Sequence, residues 1–422
     1  MGEGRRSSPA RWGMKDLAGA GMTLVLMAGP APAADGLDRL STFMQSATDA
    51  NGYLGAVTLI ARDGEVVDWR AYGHRDLART QPMPRDAIFR IYSMTKTVAT
   101  VAALMLVDDG RLALDEPIAR YLPEFTTMQV FDGGSADAPR LRPAASAITL
   151  RHLLTHSAGF ATGGEGYEEA TKILERADLH GSTDLADFAR RTSGLPLATD
   201  PGRRFHYDGT GIEVMGRLVE VVAGMPFETF VQRRVLDPLG MNDTGFSVPP
   251  GKRTRIADIS AMGPDGRLVL DSGSTAARPG ERMQRYASGA GGLYSTAPDY
   301  LRFCRMLLDG GRLGGRTLLR RETVRSMMRD ELPIGMKTGR ELTGGERFGF
   351  GGSVVVDPTL RDRRGSIGSF GWSGAASTYY TIDPQRHLIA LLLMQHLPSE
   401  GMKNLPKISA RFYDLVHEAL DR

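Results

Sequence analysis

Ala87-Ile88-Phe89-Arg90-Ile91-Tyr92-Ser93-Met94-Thr95-Lys96 ends an apolar stretch and opens a helix. From Ser93 the chain runs to Asp109 through Val98, Val101, Ala102, Leu104, Met105 and Leu106, and Gly110 closes it. Glycine is the usual residue just past a helix end, because it takes a left-handed backbone without strain. The apolar residues cover more than one face, so this helix is predicted to lie in the middle of a domain. At its start, Ser93-Met94-Thr95-Lys96 is S-x-x-K, and residues three apart share a helix face. Helix-terminal N–H groups near Ser93 stabilise negative charge. A desolvated amine gives up its proton more readily, which makes Lys96 the group that would activate a Ser93 nucleophile. The same four residues also fit an ordinary helix N-terminus capped by a serine.

Upstream, Gly55 to Arg62 is a short apolar run, Asp63-Gly64 is a turn signal, and Val66 to Tyr72 alternates. This predicts a β-hairpin. Downstream, Leu150 to Thr155, Asp184 to Thr192, Gly211 to Val222 and Phe227 to Val235 fit a helical period, while Phe131 to Ala147 reads as a polar loop. Phe348 to Val356, Ser377 to Asp383 and His387 to Met394 read as strands, with Asp383-Pro384-Gln385-Arg386 turning between the last two. Ile408 to Ala419 closes as a helix. Strands at both ends and helices between them predict an α/β (α+β) fold: one antiparallel sheet flanked by terminal helices, plus a second helical lobe. Residues 37–422 form a single unit in this reading, with a sheet lobe of about 37–110 and 285–422 and a helical lobe of about 111–284. The cleft between lobes is the default site.

Further blocks sharpen the reading. Gly110-Arg111-Leu112-Ala113-Leu114-Asp115-Glu116-Pro117-Ile118 follows the helix, and Ile148-Thr149-Leu150-Arg151-His152-Leu153-Leu154-Thr155-His156-Ser157-Ala158-Gly159 comes next. Then come Leu236-Asp237-Pro238-Leu239-Gly240-Met241-Asn242-Asp243-Thr244 and Gly291-Gly292-Leu293-Tyr294-Ser295-Thr296. In this order they resemble the serine β-lactamase superfamily, especially class C β-lactamases and family VIII carboxylesterases, across roughly residues 37 to 420. The resemblance implies a β-lactamase-like fold and places the family's tyrosine motif at Phe205-His206-Tyr207-Asp208-Gly209-Thr210-Gly211. Tyr207 would then be the general base, its phenolate stabilised by Lys96, for acylation of Ser93 and for deacylation by water. The third motif looks like Trp372-Ser373-Gly374 and would line the substrate site. The backbone N–H of Ala375, with that of Ser93, would form the oxyanion hole.

Three departures bear on substrate. Gly209 stands where the family has Asn, and Trp372 where it has the Lys of K-T-G. A donor to a β-lactam amide and a cation for its carboxylate are therefore missing from those positions, which favours an ester with an apolar part. Asp208, if it points into the site, would oppose formation of a Tyr207 phenolate. A β-lactamase, a D-amino-acid peptidase acting on cell-wall peptides, and a binding or sensor protein that acylates once without turnover remain the alternatives.

His152 and His156 are four apart, but Leu153 stands where a zinc H-E-x-x-H needs Glu. They are expected to support loops around the site, and no metal or cofactor is expected. No G-x-S-x-G occurs, which disfavours an α/β-hydrolase elbow. Gly289-Ala290-Gly291-Gly292 lacks G-x-G-x-x-G and reads as a tight turn before a helix. The lone cysteine, Cys304, falls in the helix-like Tyr300 to Leu308 and is expected to be a buried structural thiol.

The 422-residue chain has a formal net charge of +3. Much of that sits in residues 1–33, where Arg5, Arg6, Arg11 and Lys15 outnumber Glu3 and Asp16. A nearly neutral body argues against nucleic acid as a partner and leaves a small-molecule ester or amide as substrate. A basic stretch to Lys15, an apolar stretch from Leu17 to Gly29 and Ala31-Pro32-Ala33 read as a signal peptide over residues 1–33. That stretch is too short to span a bilayer, so no stable membrane insertion is expected after cleavage, and the mature protein is expected to be periplasmic or secreted. A disordered or membrane-lying N-terminus is the other reading.

Overall fold

In a computed structural model of the protein, residues 32–160, 167–336, 338 and 342–421 are described, together with Met1. The expected leader falls almost entirely outside the described residues.

One seven-stranded sheet organises the molecule. Its strands are β1 Gly55–Arg62, β2 Glu65–Gly73, β3 Glu346–Phe348, β4 Ser353–Val355, β5 Phe370–Gly374, β6 Thr378–Asp383 and β7 Leu388–Met394, in the order β3-β4-β5-β6-β7-β1-β2. Every neighbouring pair is antiparallel. The central strand β7 explains its own composition. Ile389, Leu391 and Leu393 join the core beneath the helical lobe, whereas Leu388, Ala390, Leu392 and Met394 pack with Phe412 and Val416 of the C-terminal helix. Successive side chains point to opposite faces, and both faces are covered, so a nearly unbroken apolar run is what the position requires. The terminal helices, α1 Pro32–Ala47 and α5 Ser409–Leu420, lie together on the second of these faces.

On the other face lies α2, Thr95–Asp108, buried from Thr95 to Leu106. It is held to the sheet where the Thr97 hydroxyl meets the Tyr380 hydroxyl at 2.8 Å. Beyond it lie Leu150–Leu154, Leu185–Ser193, Phe227–Val231 and the long helix α3, Thr210–Ala223. This is the β-lactamase-like mixed architecture expected from the sequence. The helix α4, Ala297–Leu308, carries Cys304 fully buried, and burial pushes its thiol pKa well up. Among the described residues, no helix is long and apolar enough to cross a membrane.

Four local expectations are corrected. The polar stretch from Phe131 to Ala147 is largely an antiparallel hairpin, Gln129–Ser135 with Ala138–Pro143. It is mostly exposed and its register breaks between Phe131 and Gly134, so no hydrophobic alternation announces it. The single strand expected from Phe348 to Val356 is the end of β3, a tight turn and β4. Gly351 makes the turn at φ +75°, and its carbonyl accepts the Thr97 hydroxyl at 2.7 Å. An added Cβ there would lie 2.5 Å from the Thr100 hydroxyl, so glycine is needed for space as well as for φ. The helix from Phe227 loosens to π geometry over Gln232–Leu236. Ser93 lies in a 3₁₀ turn, Tyr92–Met94, that precedes α2.

Candidate active site

The Ser93 turn is built by strain and by strapping. Tyr92 has φ +42°, uncommon for a bulky residue, and this reverses the chain between the short strand Phe89–Arg90 and α2. The flanks are fixed from one neighbouring segment: Ile91 N–H donates to the Leu293 carbonyl at 3.0 Å, and Leu293 N–H to the Thr95 hydroxyl at 3.2 Å. Strand β5 presses on the same turn. An added Cβ at Gly374 would fall 2.4 Å from the Ile91 carbonyl oxygen and 2.3 Å from Thr378 Oγ1, so only glycine lets the strand come this close.

Lys96 is 4% exposed. Its Nζ donates to the Ala290 carbonyl at 2.7 Å and to Ser93 Oγ at 3.2 Å, and it lies 4.9 Å from the centre of the Tyr207 ring. The Tyr207 hydroxyl accepts the Trp372 indole N–H at 2.9 Å. Thus Ser93, Lys96, Tyr207 and Trp372 are brought together in one place. Ser93, Tyr207, the strand residues Trp372, Ser373 and Gly374, and Ala375 just past β5 line one cavity of about 580 Å³. Arg361 and Arg363 also line it, but both are held by Glu346, at 2.6 and 3.0 Å.

The aromatic side of the site is a stack. Trp372 packs on Tyr207 with ring centres 5.0 Å apart and on Phe348 at 5.2 Å, while His156 packs on Tyr207 at 4.7 Å. His156 is not on the helix Leu150–Leu154; it follows it at φ +51°, so the two histidines do not form the helical pair their spacing suggests. His156 is fully buried, which lowers its pKa, and its Nδ1 accepts the Asp208 N–H at 3.3 Å. It is therefore a neutral ring that orders the Tyr207 segment, and its own carbonyl accepts His206 N–H at 2.8 Å. His152 caps its helix reciprocally with Thr149. Asp208 is accounted for as well. One carboxylate oxygen accepts Gly211 N–H at 2.6 Å at the start of α3, where the helix dipole favours a negative charge, and the other lies 3.6 Å from His156 Nδ1.

Three residues of the opposite side carry no motif. Glu213 is fully buried on α3 and accepts the Ser288 hydroxyl and, at 3.0 Å, Gly289 N–H. Burial pushes its carboxyl pKa up to about 7, against the Ser288 hydrogen bond and the charge of Lys96. Ser288 in turn accepts Gly291 N–H at 3.1 Å, and Ala290 supplies the carbonyl on Lys96. The 288–291 turn, which precedes the short strand Tyr294–Ser295, is thus part of the site. The one sequence signal was a lone acid among Ile212, Val214 and Met215, and its partner lies 75 positions away.

The family model described as Beta-lactamase matches residues 40–411. The chain is 36% identical over 369 residues to an uncharacterised protein of Mycobacterium tuberculosis (strain CDC 1551 / Oshkosh), covering 86% of this chain and 90% of that protein. It is 31% identical over 397 residues to esterase EstB of Burkholderia gladioli, covering 88% and 93%. Among solved structures it is similar to EstCE1, described as a hydrolase with promiscuous acyltransferase activity, at a TM-score of 0.70 and 26% identity, covering 92% and 99%. A Ser-Lys-Tyr cluster at the mouth of a buried helix beside an antiparallel sheet, in a chain matched over almost its whole length, makes this protein a member of the Beta-lactamase family and a serine hydrolase of that fold.

Proposed function

We propose that the protein is an exported carboxylesterase that cleaves small or short-chain esters through an acyl-enzyme on Ser93. In this reading Ser93 Oγ attacks the ester carbonyl carbon and passes its proton to Tyr207, whose phenolate is stabilised by Lys96. The backbone N–H groups of Ser93 and Ala375 hold the oxyanion. The tetrahedral adduct collapses, and the alcohol leaves with the proton from Tyr207. The phenolate so restored takes a proton from water, which attacks the acyl group, breaks its bond to Ser93 Oγ and releases the acid, the proton returning to Ser93.

The observation that carries the ester reading is the Trp372–Tyr207 hydrogen bond of 2.9 Å. The third motif places a neutral aromatic on the catalytic phenol, and of the cations that line the same cavity Arg361 and Arg363 are engaged with Glu346, while Arg364 and Lys407 are not. At the motif position itself a β-lactam carboxylate meets an indole and not an ammonium group. Turnover of p-nitrophenyl butyrate that exceeds turnover of nitrocefin, and disappears in Ser93→Ala, is the expected result. Preferential turnover of nitrocefin or of a D-alanyl peptide would favour the β-lactamase or peptidase alternative. A persistent Ser93 adduct without turnover would favour a sensor.

A second reading is acyl transfer to an alcohol, supported by the description of EstCE1. It predicts ester formation when a primary alcohol competes with water for the acyl-enzyme. Export rests on the leader-like pattern of residues 1–33. N-terminal sequencing of protein recovered outside the cytoplasm should begin at Ala34.

A further inference from the structure

We infer that Glu213 is a positioning residue for Lys96, acting through the Ser288–Gly291 turn, and that its negative charge is part of the working site. The inference rests on the reading of Ser93 and Lys96 as the acylating pair. Lys96 Nζ has two hydrogen-bond acceptors, Ser93 Oγ at 3.2 Å and the Ala290 carbonyl at 2.7 Å. The shorter contact is to the turn, so the place of the turn decides where the amine sits. That turn is held from below by one carboxylate. Glu213 accepts both the Ser288 hydroxyl and Gly289 N–H, and Ser288 Oγ accepts Gly291 N–H. Ala290, whose carbonyl meets Lys96, lies inside this bonded span.

A buried acid among Ile212, Val214 and Met215 is costly unless each oxygen is satisfied. Here the oxygens take donors from two successive residues of the turn, a pattern that suits a carboxylate. A protonated carboxyl must donate from one oxygen. The Ser288 hydroxyl would then have to rotate and accept from Glu213 while it accepts Gly291 N–H, so that the bond to the turn is reversed and the negative charge beneath the turn is gone. The charge also acts directly, since Lys96 and Glu213 attract.

The groups facing Glu213 are few. Lys96 comes from α2, and Tyr286, whose hydroxyl pKa is pushed up by burial and then by the charge of Glu213, comes from the segment before the turn. Glu175, Asp178 and His180 line the same cavity of about 560 Å³ that Glu213, Ser288 and Ala290 border. Of the acids here, Glu213 is the one in direct contact with the turn. With its carboxyl pushed up to about 7, this group changes charge in the range where such an enzyme is assayed.

The test is a pH series from 5 to 9 on wild type, Glu213→Gln, Glu213→Asp and Ser288→Ala. It records kcat and KM for p-nitrophenyl butyrate and the rate of Ser93 labelling by a fluorophosphonate. Wild type should lose activity on acidification through about 7. Glu213→Gln keeps the shape, loses the charge, and should lower kcat and the labelling rate roughly 10- to 100-fold with little change in KM. It should also abolish the acid limb near neutrality. Glu213→Asp should recover part of the rate and keep the limb, and Ser288→Ala should lower kcat while the limb persists. Thermal melts show whether each variant is folded; if Glu213→Gln does not fold, Ser288→Ala and Glu213→Asp decide. Wild-type rates with an unchanged acid limb in Glu213→Gln, or wild-type rates in both other variants, would overturn the inference. Wild type that is neither labelled nor active would instead defeat the Ser93 reading, and this inference with it.

Discussion

The two sides of the Tyr207 ring are built from opposite materials. Toward the 288–291 turn lies a polar chain, Glu213 to Ser288 and Gly289, then Ala290 to Lys96 to Ser93. Toward the sheet lies an aromatic stack of Trp372, Phe348 and His156, with Phe205 against His156 and Phe348. The polar side fixes charges and directions within hydrogen-bond distance of the serine. The aromatic side offers area, a single indole donor and a neutral histidine. In the proposed reading the contrast separates reactivity from selectivity: the polar side would make Ser93 a nucleophile, and the aromatic side would set which acyl compounds are welcome.

The hardest blow to the polar side is Lys96→Met. It removes the cation beside Tyr207 and leaves the Ala290 carbonyl without its donor, so kcat for p-nitrophenyl butyrate should fall about 100- to 10,000-fold. A fall of less than tenfold would place the activation of Ser93 elsewhere.

Next in size is a stability effect of the polar side. Glu213 has a folded-state pKa of about 7 against an ordinary 4.5, so the folded protein binds its proton more tightly than the unfolded chain. Its contribution to stability is therefore present below the unfolded pKa and is lost as pH rises from 4.5 to about 7, by on the order of 3 kcal/mol. Denaturant unfolding of Glu213→Gln should show a flatter pH dependence across that window. An identical slope in wild type and variant would remove Glu213 from the account. If the negative charge of Glu213 is part of the working site, as we infer, stability and rate are opposed, because the ionised form is the one whose burial costs the fold.

The aromatic side should yield more gently. Trp372→Phe keeps most of the ring packing but loses the donor to Tyr207, with an expected cost of about tenfold in kcat/KM for esters. Trp372→Lys sharpens the contrast, because the ratio of nitrocefin to ester turnover should rise. A ratio that stays fixed would mean that the third motif does not set selectivity. Smallest is Asp208→Ala, which removes the acceptor for Gly211 N–H and should cost about 1 kcal/mol of stability. Its ester kcat should change little, since both carboxylate oxygens face Gly211 and His156.

The same divide governs what could be read from the sequence. Ser93, Lys96 and Tyr207 sit in short motifs whose order along the chain is diagnostic, and β7 announces a doubly covered strand by its unbroken apolar run. The sheet edge was less legible. Gly351 turns the chain inside what looked like one strand, because its φ and its contact with Thr97 depend on a helix over 250 residues away. The hairpin after Gln129 lies on the surface, where pairing leaves no alternation to find. Glu213 was invisible for a related reason. Its meaning comes from Ser288 and Gly289, and nothing at position 213 names them. His152 and His156 have the spacing of a helical pair, but the helix ends at Leu154 and His156 lies beyond it.

The central claim is that Ser93 carries the acyl group. Brief reaction with p-nitrophenyl butyrate, acid quench and peptide mass spectrometry measure it directly. A butyryl group on the Ser93 peptide of wild type, absent from Ser93→Ala together with all ester turnover, is the predicted result. Turnover that persists in Ser93→Ala, or an acyl group on any other residue, would contradict it.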